Sequence, residues 1–150
     1  MGDDIERSNP AGLHQPPGYH HVTVVPAGPT AYLAGQCPLD AYGDLVGPGD
    51  IDAQVDAVVD NALTALAAIN APPTRVVRSV IYVVSDETDV LGQVWRRLQV
   101  SPLAPAFTSA ATLVGVNTLG FTEQLVEIDL TVALTPGGGP WRPDAASPVP

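Results

Sequence analysis

Leu125-Val126-Glu127-Ile128-Asp129-Leu130-Thr131-Val132-Ala133-Leu134 alternates without a break. In a strand Val126, Ile128, Leu130, Val132 and Leu134 share one face, and Leu125, Glu127, Asp129 and Thr131 share the other, which marks a strand with a single core face. Val76-Val77-Arg78-Ser79-Val80-Ile81-Tyr82-Val83-Val84 behaves differently, because strict alternation leaves it apolar on both sides. Val76, Val80, Tyr82 and Val84 fall on one face, and Val77, Ile81 and Val83 on the other, so this stretch reads as the central strand. Asp50 is placed to cap a helix in which Val55, Val58, Val59, Ala62, Leu63, Leu66 and Ala67 recur at three and four. Asp52, Asp56 and Asp60 take the solvent side, and Pro72-Pro73 ends the helix. A second helix is expected over residues 89–99, with Val90, Leu91, Val94 and Leu98 as its apolar stripe. Residues 20–25 and 30–34 flank Pro26-Ala27-Gly28-Pro29 and read as a hairpin, while residues 111–116 and 124–134 close the chain as two strands. The order is ββαβαββ, an α+β layout in one domain over residues 18–134. Residues 1–17 read as a flexible segment, and 135–150, rich in Gly and Pro, as a disordered tail.

Two helices can cover one face of such a sheet. The second apolar face would leave a larger exposed patch than a soluble monomer carries, and another copy of the chain is the economical cover. An obligate oligomer is therefore expected, with Glu127 and Asp129 near the subunit boundary and Asp129 reading as a partner for an arginine across it.

Composition removes whole classes of function. The 150 residues hold 16 acidic and 6 basic side chains, a formal net charge of −10, and all six bases are Arg. A phosphate-binding loop of the Walker type and a Schiff-base mechanism both need a Lys, so neither is available. Nucleic-acid binding draws on phosphate neutralisation, which an acidic chain without Lys serves poorly. The apolar runs are too short to span a bilayer, and the acidic Met1-Gly2-Asp3-Asp4-Ile5-Glu6-Arg7 is unlike a signal peptide, so a cytoplasmic protein is expected. A single cysteine, Cys37, allows neither an internal disulfide nor a multi-cysteine metal site.

Several local strings, in unbroken order over residues 9–134, are more specific. Pro17-Gly18-Tyr19-His20-His21, Tyr32-Leu33-Ala34-Gly35-Gln36-Cys37-Pro38-Leu39-Asp40, and Gly43-Asp44-Leu45-Val46-Gly47-Pro48-Gly49-Asp50-Ile51 resemble the Rid family of reactive intermediate deaminases, the YjgF-like proteins. Gln54, Asn61-Ala62-Leu63 and Leu125-Val126-Glu127-Ile128-Asp129 fit the same pattern. The resemblance implies a chorismate-mutase-like fold, a mixed sheet with two helices on one face. It also implies a cofactor-free homotrimer with small-molecule pockets between subunits. Typical members hydrolyse 2-aminoacrylate and related enamines or imines to a 2-oxo acid and ammonia. In the family an Arg holds the substrate carboxylate, backbone around a Gly-Gln loop polarises the substrate, a Glu orients water and a Tyr closes the pocket. Carried over, Gly35 and Gln36 match the loop, with Cys37 beside them; Tyr19 matches the Tyr and Glu127 the Glu. The Arg has no counterpart. Counted from Val114-Gly115-Val116 its place holds Ala111, and counted from Pro105-Ala106 it holds Phe107.

The candidate catalytic residue is thus Glu127, and the candidate substrate-binding residues are Tyr19, Gly35, Gln36, Cys37, Phe107, Ala111 and Thr112. No metal site is expected, since His20 and His21 are adjacent and point to opposite faces of a strand. Cys37 reads by default as a buried structural thiol. These residues suit acid/base or hydrolytic chemistry on a small imine, enamine or enol, including tautomerisation or cyclisation. A trimer that binds a small molecule without turning it over is the alternative that the missing Arg favours, and RNA cleavage is a third that the charge disfavours.

Overall fold

The fold, obtained as a computed structural model, is described for residues 4–135. Its elements in chain order are strands β1 (Glu6–Ser8), β2 (Val22–Val24) and β3 (Thr30–Tyr32), helix α1 (Ile51–Ala68), strand β4 (Val76–Val84), helix α2 (Thr88–Gln99), and strands β5 (Ala110–Val116) and β6 (Val126–Ala133). Single 3-10 segments precede β4 (Pro73–Arg75) and β5 (Ala104–Thr108). The main sheet runs β3-β6-β4-β5, with β4 and β5 parallel and the other neighbours antiparallel. It is a mixed α+β sheet with both helices packed on one face.

Two sequence expectations are corrected by the pairing. The strands around Pro26–Pro29 do not form a hairpin: β2 pairs with β1 in a separate two-stranded sheet, and β3 pairs with β6. With only three residues each, these strands follow long-range partners more than the local turn. The segment read as flexible carries β1, and Ile5 is only 4% exposed. Most of the expected tail, from residue 136 on, lies outside the described residues.

The helices begin and end for local reasons. Asp50, in extended backbone, accepts a hydrogen bond from Ala53 N (3.0 Å), satisfying one of the free N–H groups at the start of α1. Asn70 after its last turn has φ of 51°, a left-handed position that Asn tolerates. Val55, Val58, Val59, Ala62 and Leu66 of α1 and Val94, Trp95 and Leu98 of α2 are buried against Ile81, Val83, Val126, Ile128, Leu130 and Val132. The two helices are also tied across their solvent side, where Arg97 grips Asp56 through Nε (2.9 Å) and Nη2 (2.7 Å). That hydrogen bond raises the Arg97 pKa and holds the Asp56 carboxyl below the usual range.

The central strand departs from strict alternation. Val76 pairs with Val132 but Arg78 with Thr131, so a bulge absorbs Val77 and changes the phase of the strand. Val76 therefore joins Ser79, Ile81 and Val83 under the helices. Val80, Tyr82 and Val84 remain on the far side, level with Thr112, Val114 and Val116 of β5 and with Asp129 and Glu127 of β6. Tyr32 on β3 joins this face and is 79% exposed. Within the chain nothing in the helical layer covers it. Among the described residues no helix is long and apolar enough to cross a membrane.

Candidate functional site

Glu127 lies opposite Tyr82 on the uncovered face, one strand in from the β3 edge. Its carboxylate is held rather than loose. Cys37 Sγ–H donates to Glu127 Oε1 at 2.9 Å, and Gln124 Nε2 approaches the same oxygen at 3.4 Å. Oε2 has no hydrogen-bond partner among the described residues. Gly35 lies against the carboxyl group so closely that a Cβ there would stand 2.8 Å from both Cδ and Oε2. The absence of a side chain at residue 35 is what admits Glu127 to this place.

The loop bearing Gly35, Gln36 and Cys37 is stitched to β6 by backbone: Gln36 N donates to Ile128 O (2.7 Å), and Ile128 N donates to Gln36 O (3.1 Å). The Gln36 side chain turns away to its own chain, donating to Ala34 O. Helix α1 fixes both sides of the cluster. Asn61 Nδ2 donates to Cys37 O (2.8 Å) and Leu39 O (2.9 Å). Gln54, fully buried, donates to Gly47 O and Glu123 O and accepts from Leu125 N at 2.7 Å. Sequence reasoning had only matched Gln54 and Asn61 to a pattern and had missed Gln124. Amides on the face of a helix opposite two loops were the available signal.

The Cys37 thiol is pushed up to about 11, first by burial and then by the hydrogen bond and charge of Glu127, with Gln124 acting weakly in the other direction. It stays protonated at neutral pH and serves as a donor, not a nucleophile.

The remaining candidates lie elsewhere. Tyr19 and Ala111 come together on the helix side of the sheet, in a groove of about 360 Å³ with Pro17, Leu91, Trp95 and Leu113. Tyr19 packs edge-on to Trp95, and its hydroxyl shares a 2.9 Å hydrogen bond with His14 Nε2. Phe107 is 1% exposed, its ring edge-on to Trp95 in the core. Thr112 is on the opposite face from Ala111, where its hydroxyl accepts from Arg78 Nη2 (2.7 Å). The candidate residues therefore form two groups: Gly35, Cys37 and Glu127 on the uncovered face, and Tyr19 and Ala111 on the helix side. His20 and His21 are each engaged with backbone carbonyls, of Thr108 and His14. Among the described residues no group of three or more His, Cys, Asp or Glu is placed to hold a metal ion.

A two-helix layer on a mixed sheet, with a carboxylate fixed on the bare face, defines a chorismate-mutase-like α+β protein. Residues 13–134 match the family model described as Endoribonuclease L-PSP, and the chain belongs to that family, the YjgF/Rid group. YyfB of Yersinia pestis, of the conserved Rid family, is similar at 30% identity, covering 88% of this chain and 100% of that one with a TM-score of 0.77. A member of the YjgF/YER057c/UK114 family from Mycobacterium tuberculosis is 22% identical over 87% of this chain and 99% of that one, with a TM-score of 0.57. Yeast Mmf1 is 18% identical over 86% of this chain and 94% of that one, with a TM-score of 0.61. The last two likenesses concern the fold alone. Among curated proteins no sequence matches this chain.

Proposed function

We propose that the chain works as a homotrimer that hydrolyses a small reactive imine or enamine without a cofactor, with Glu127 orienting the water. The observation that carries this reading is the fixed carboxylate on an uncovered apolar face. Tyr32, Val80, Tyr82, Val84, Val114 and Val116 surround it, and a second copy laid on them would turn a half-buried Glu127 into the wall of a cleft. Arg78 and Asp129 on the same face, neither paired with an opposite charge among the described residues, give that contact complementary charges.

In the reaction, Oε2 accepts a proton from water as its oxygen bonds to the C=N carbon. That proton passes to nitrogen, which takes up the C=N π pair, and a carbinolamine forms. Its hydroxyl then gives its proton through Glu127 to nitrogen as the C–N bond breaks, so ammonia leaves and the carbonyl forms. An enamine first tautomerises to its imine. Cys37 and Gln124 act by holding Oε1, so that the carboxylate presents Oε2 in one orientation. The test is ammonia release from freshly generated 2-aminoacrylate by the wild type and by Glu127→Ala, with light scattering for the mass in solution. Release by the wild type that falls to background in the variant is expected; equal background rates in both remove the hydrolytic reading.

Ala111 favours a second reading, a trimer that binds a metabolite without changing it, because the groove wall there holds a methyl group at one of the two positions, with Phe107, that count to the family's Arg. A ligand that raises the melting temperature and is recovered intact identifies this case. The family description names an endoribonuclease, but a net charge of −10 without Lys disfavours RNA as substrate.

A further inference from the structure

The groove on the helix side has a charged rim that the candidate residues do not include. Thr88, Leu91, Gly92 and Trp95 of α2 form one wall. Thr88, Gly92 and Arg96 are spaced at four, so they stand in one row along the helix. A long helical side chain leans back over the preceding turn, which here is Gly92. The structure agrees: a Cβ at residue 92 would stand 3.1 Å from Arg96 Nη1, so the guanidinium lies over the bare backbone at the groove's edge. Glycine inside a helix is unfavourable, and an alanine here would crowd that guanidinium.

Arg96 is also uncommitted. Among the described arginines, Arg7 donates to Ser109 and Thr74, Arg75 pairs with Asp4, Arg78 donates to Thr112, and Arg97 pairs with Asp56. Arg96 has neither a hydrogen bond nor an ion pair among the described residues. The groove itself offers little else that is polar. The Tyr19 hydroxyl is engaged with His14, and Trp95 Nε1 donates to Pro17 O at 2.9 Å. A cavity of about 360 Å³ with an apolar body and one free cation at its lip suits a ligand built the same way.

The geometry points to Arg96 as the anion-binding residue of this groove, and to its ligand as a small monocarboxylate carrying an apolar body of about the size of an aromatic ring. This rests on the groove being the ligand-binding half of the site proposed above, and it narrows the substrate to acids with an apolar side chain. The guanidinium fork takes the carboxylate, while Leu91, Trp95, Ala111 and Leu113 take the body.

Titration with phenylacetate and with the neutral phenylacetamide tests the assignment on the intact protein, by calorimetry at low ionic strength. The wild type is expected to bind phenylacetate about tenfold more tightly than the amide. Arg96→Gln should bring the ratio to about one without weakening the amide, Arg96→Lys should restore part of it, and added salt should reduce it in the wild type. Gly92→Leu, which fills the groove, should weaken both probes. No preference in the wild type, a preference that survives Arg96→Gln, binding that Gly92→Leu leaves intact, or binding of neither probe at millimolar concentration overturns the assignment. Failure of 2-aminoacrylate turnover alone leaves these titrations unchanged and counts against the hydrolytic reading only.

Discussion

The two faces of the sheet are built on opposite plans. Around Glu127 nearly every polar atom is tied: the carboxylate to a thiol and an amide, the Gln36 backbone to β6, and both neighbouring loops to Gln54 and Asn61 of α1. Around Tyr19 and Ala111 the walls are apolar, and Arg96, without a hydrogen bond or ion pair among the described residues, stands at the rim. The first plan suits a group that must be held in one orientation, the second a pocket that recognises shape with one charge at its mouth. A sheet separates them within a single chain. In the trimer we propose, chemistry and binding meet only where one copy presents its bare face to another copy's groove.

The sharpest way to break this contrast is to remove the acid and ask whether the groove notices. Glu127→Ala is expected to lower imine hydrolysis by about 10²–10⁴-fold, the usual range for a lost acid–base group. Phenylacetate titration should be unchanged in the same variant. Loss of both would show that the two sides act as one structural unit.

Gln54→Ala comes next in size. It leaves the Leu125 N–H without its acceptor and the Gly47 and Glu123 carbonyls without their donor, all beside a fully buried position. Buried polar groups left unpaired cost ~1–3 kcal/mol each, so a loss of about 3 kcal/mol in denaturant unfolding is expected. Faster hydrogen exchange should concentrate at the Leu125 amide, which separates this effect from general loosening.

These contrasts also explain what could be read from the chain. The alternation of β6 and the three-and-four spacing of α1 are local patterns that burial imposes directly; β6 came out as read, and α1 did except that Ala67 in its last turn is exposed and Gln54 is buried. The central strand needed a fact outside its own pattern. The bulge at Val77 exists only because β6 pairs with β4 on both sides of it, so Val76 was assigned to the wrong face. For the same reason the short strands β2 and β3 resembled a hairpin: nothing local records that their partners are β1 and β6. At the site, Glu127, Gly35 and Cys37 were legible as separate family positions, and the structure supplied their contact. Neighbours in sequence proved less informative than alternation, which sends Thr112 to one face and Ala111 to the other. Gly92 and Arg96 drew no reading as a pair, because the groove that gives them meaning is made by the fold.

A smaller effect probes the polar face alone. The thiol of Cys37 is raised to about 11 in the folded chain, so the neutral form is the one folding favours. The resulting stabilisation is fully present below the unfolded thiol's pKa of about 9 and is lost as pH climbs from there to about 11. Unfolding stability should fall across that window. In Glu127→Gln the charge that contributes to the shift is gone, while burial, the larger cause, remains. Iodoacetamide should then modify Cys37 faster at pH 8, following the gain in thiolate. An unchanged rate would mean that burial alone sets the thiol.

Gly92→Ala gives the smallest change and addresses the groove alone. In this half-buried helix position the substitution should add roughly 0.5–1 kcal/mol, because alanine loses less backbone freedom on folding. The new methyl group would meet Arg96 Nη1 at 3.1 Å, and the end of a flexible side chain can move away cheaply. The outcome expected is a protein that is slightly more stable but prefers phenylacetate over phenylacetamide by less than the wild type does. Stability and selectivity would then change in opposite directions at one residue, which a purely structural glycine does not explain. If the variant gains stability and keeps the full preference, the guanidinium reaches the ligand by another route and the bare backbone at residue 92 is incidental to binding.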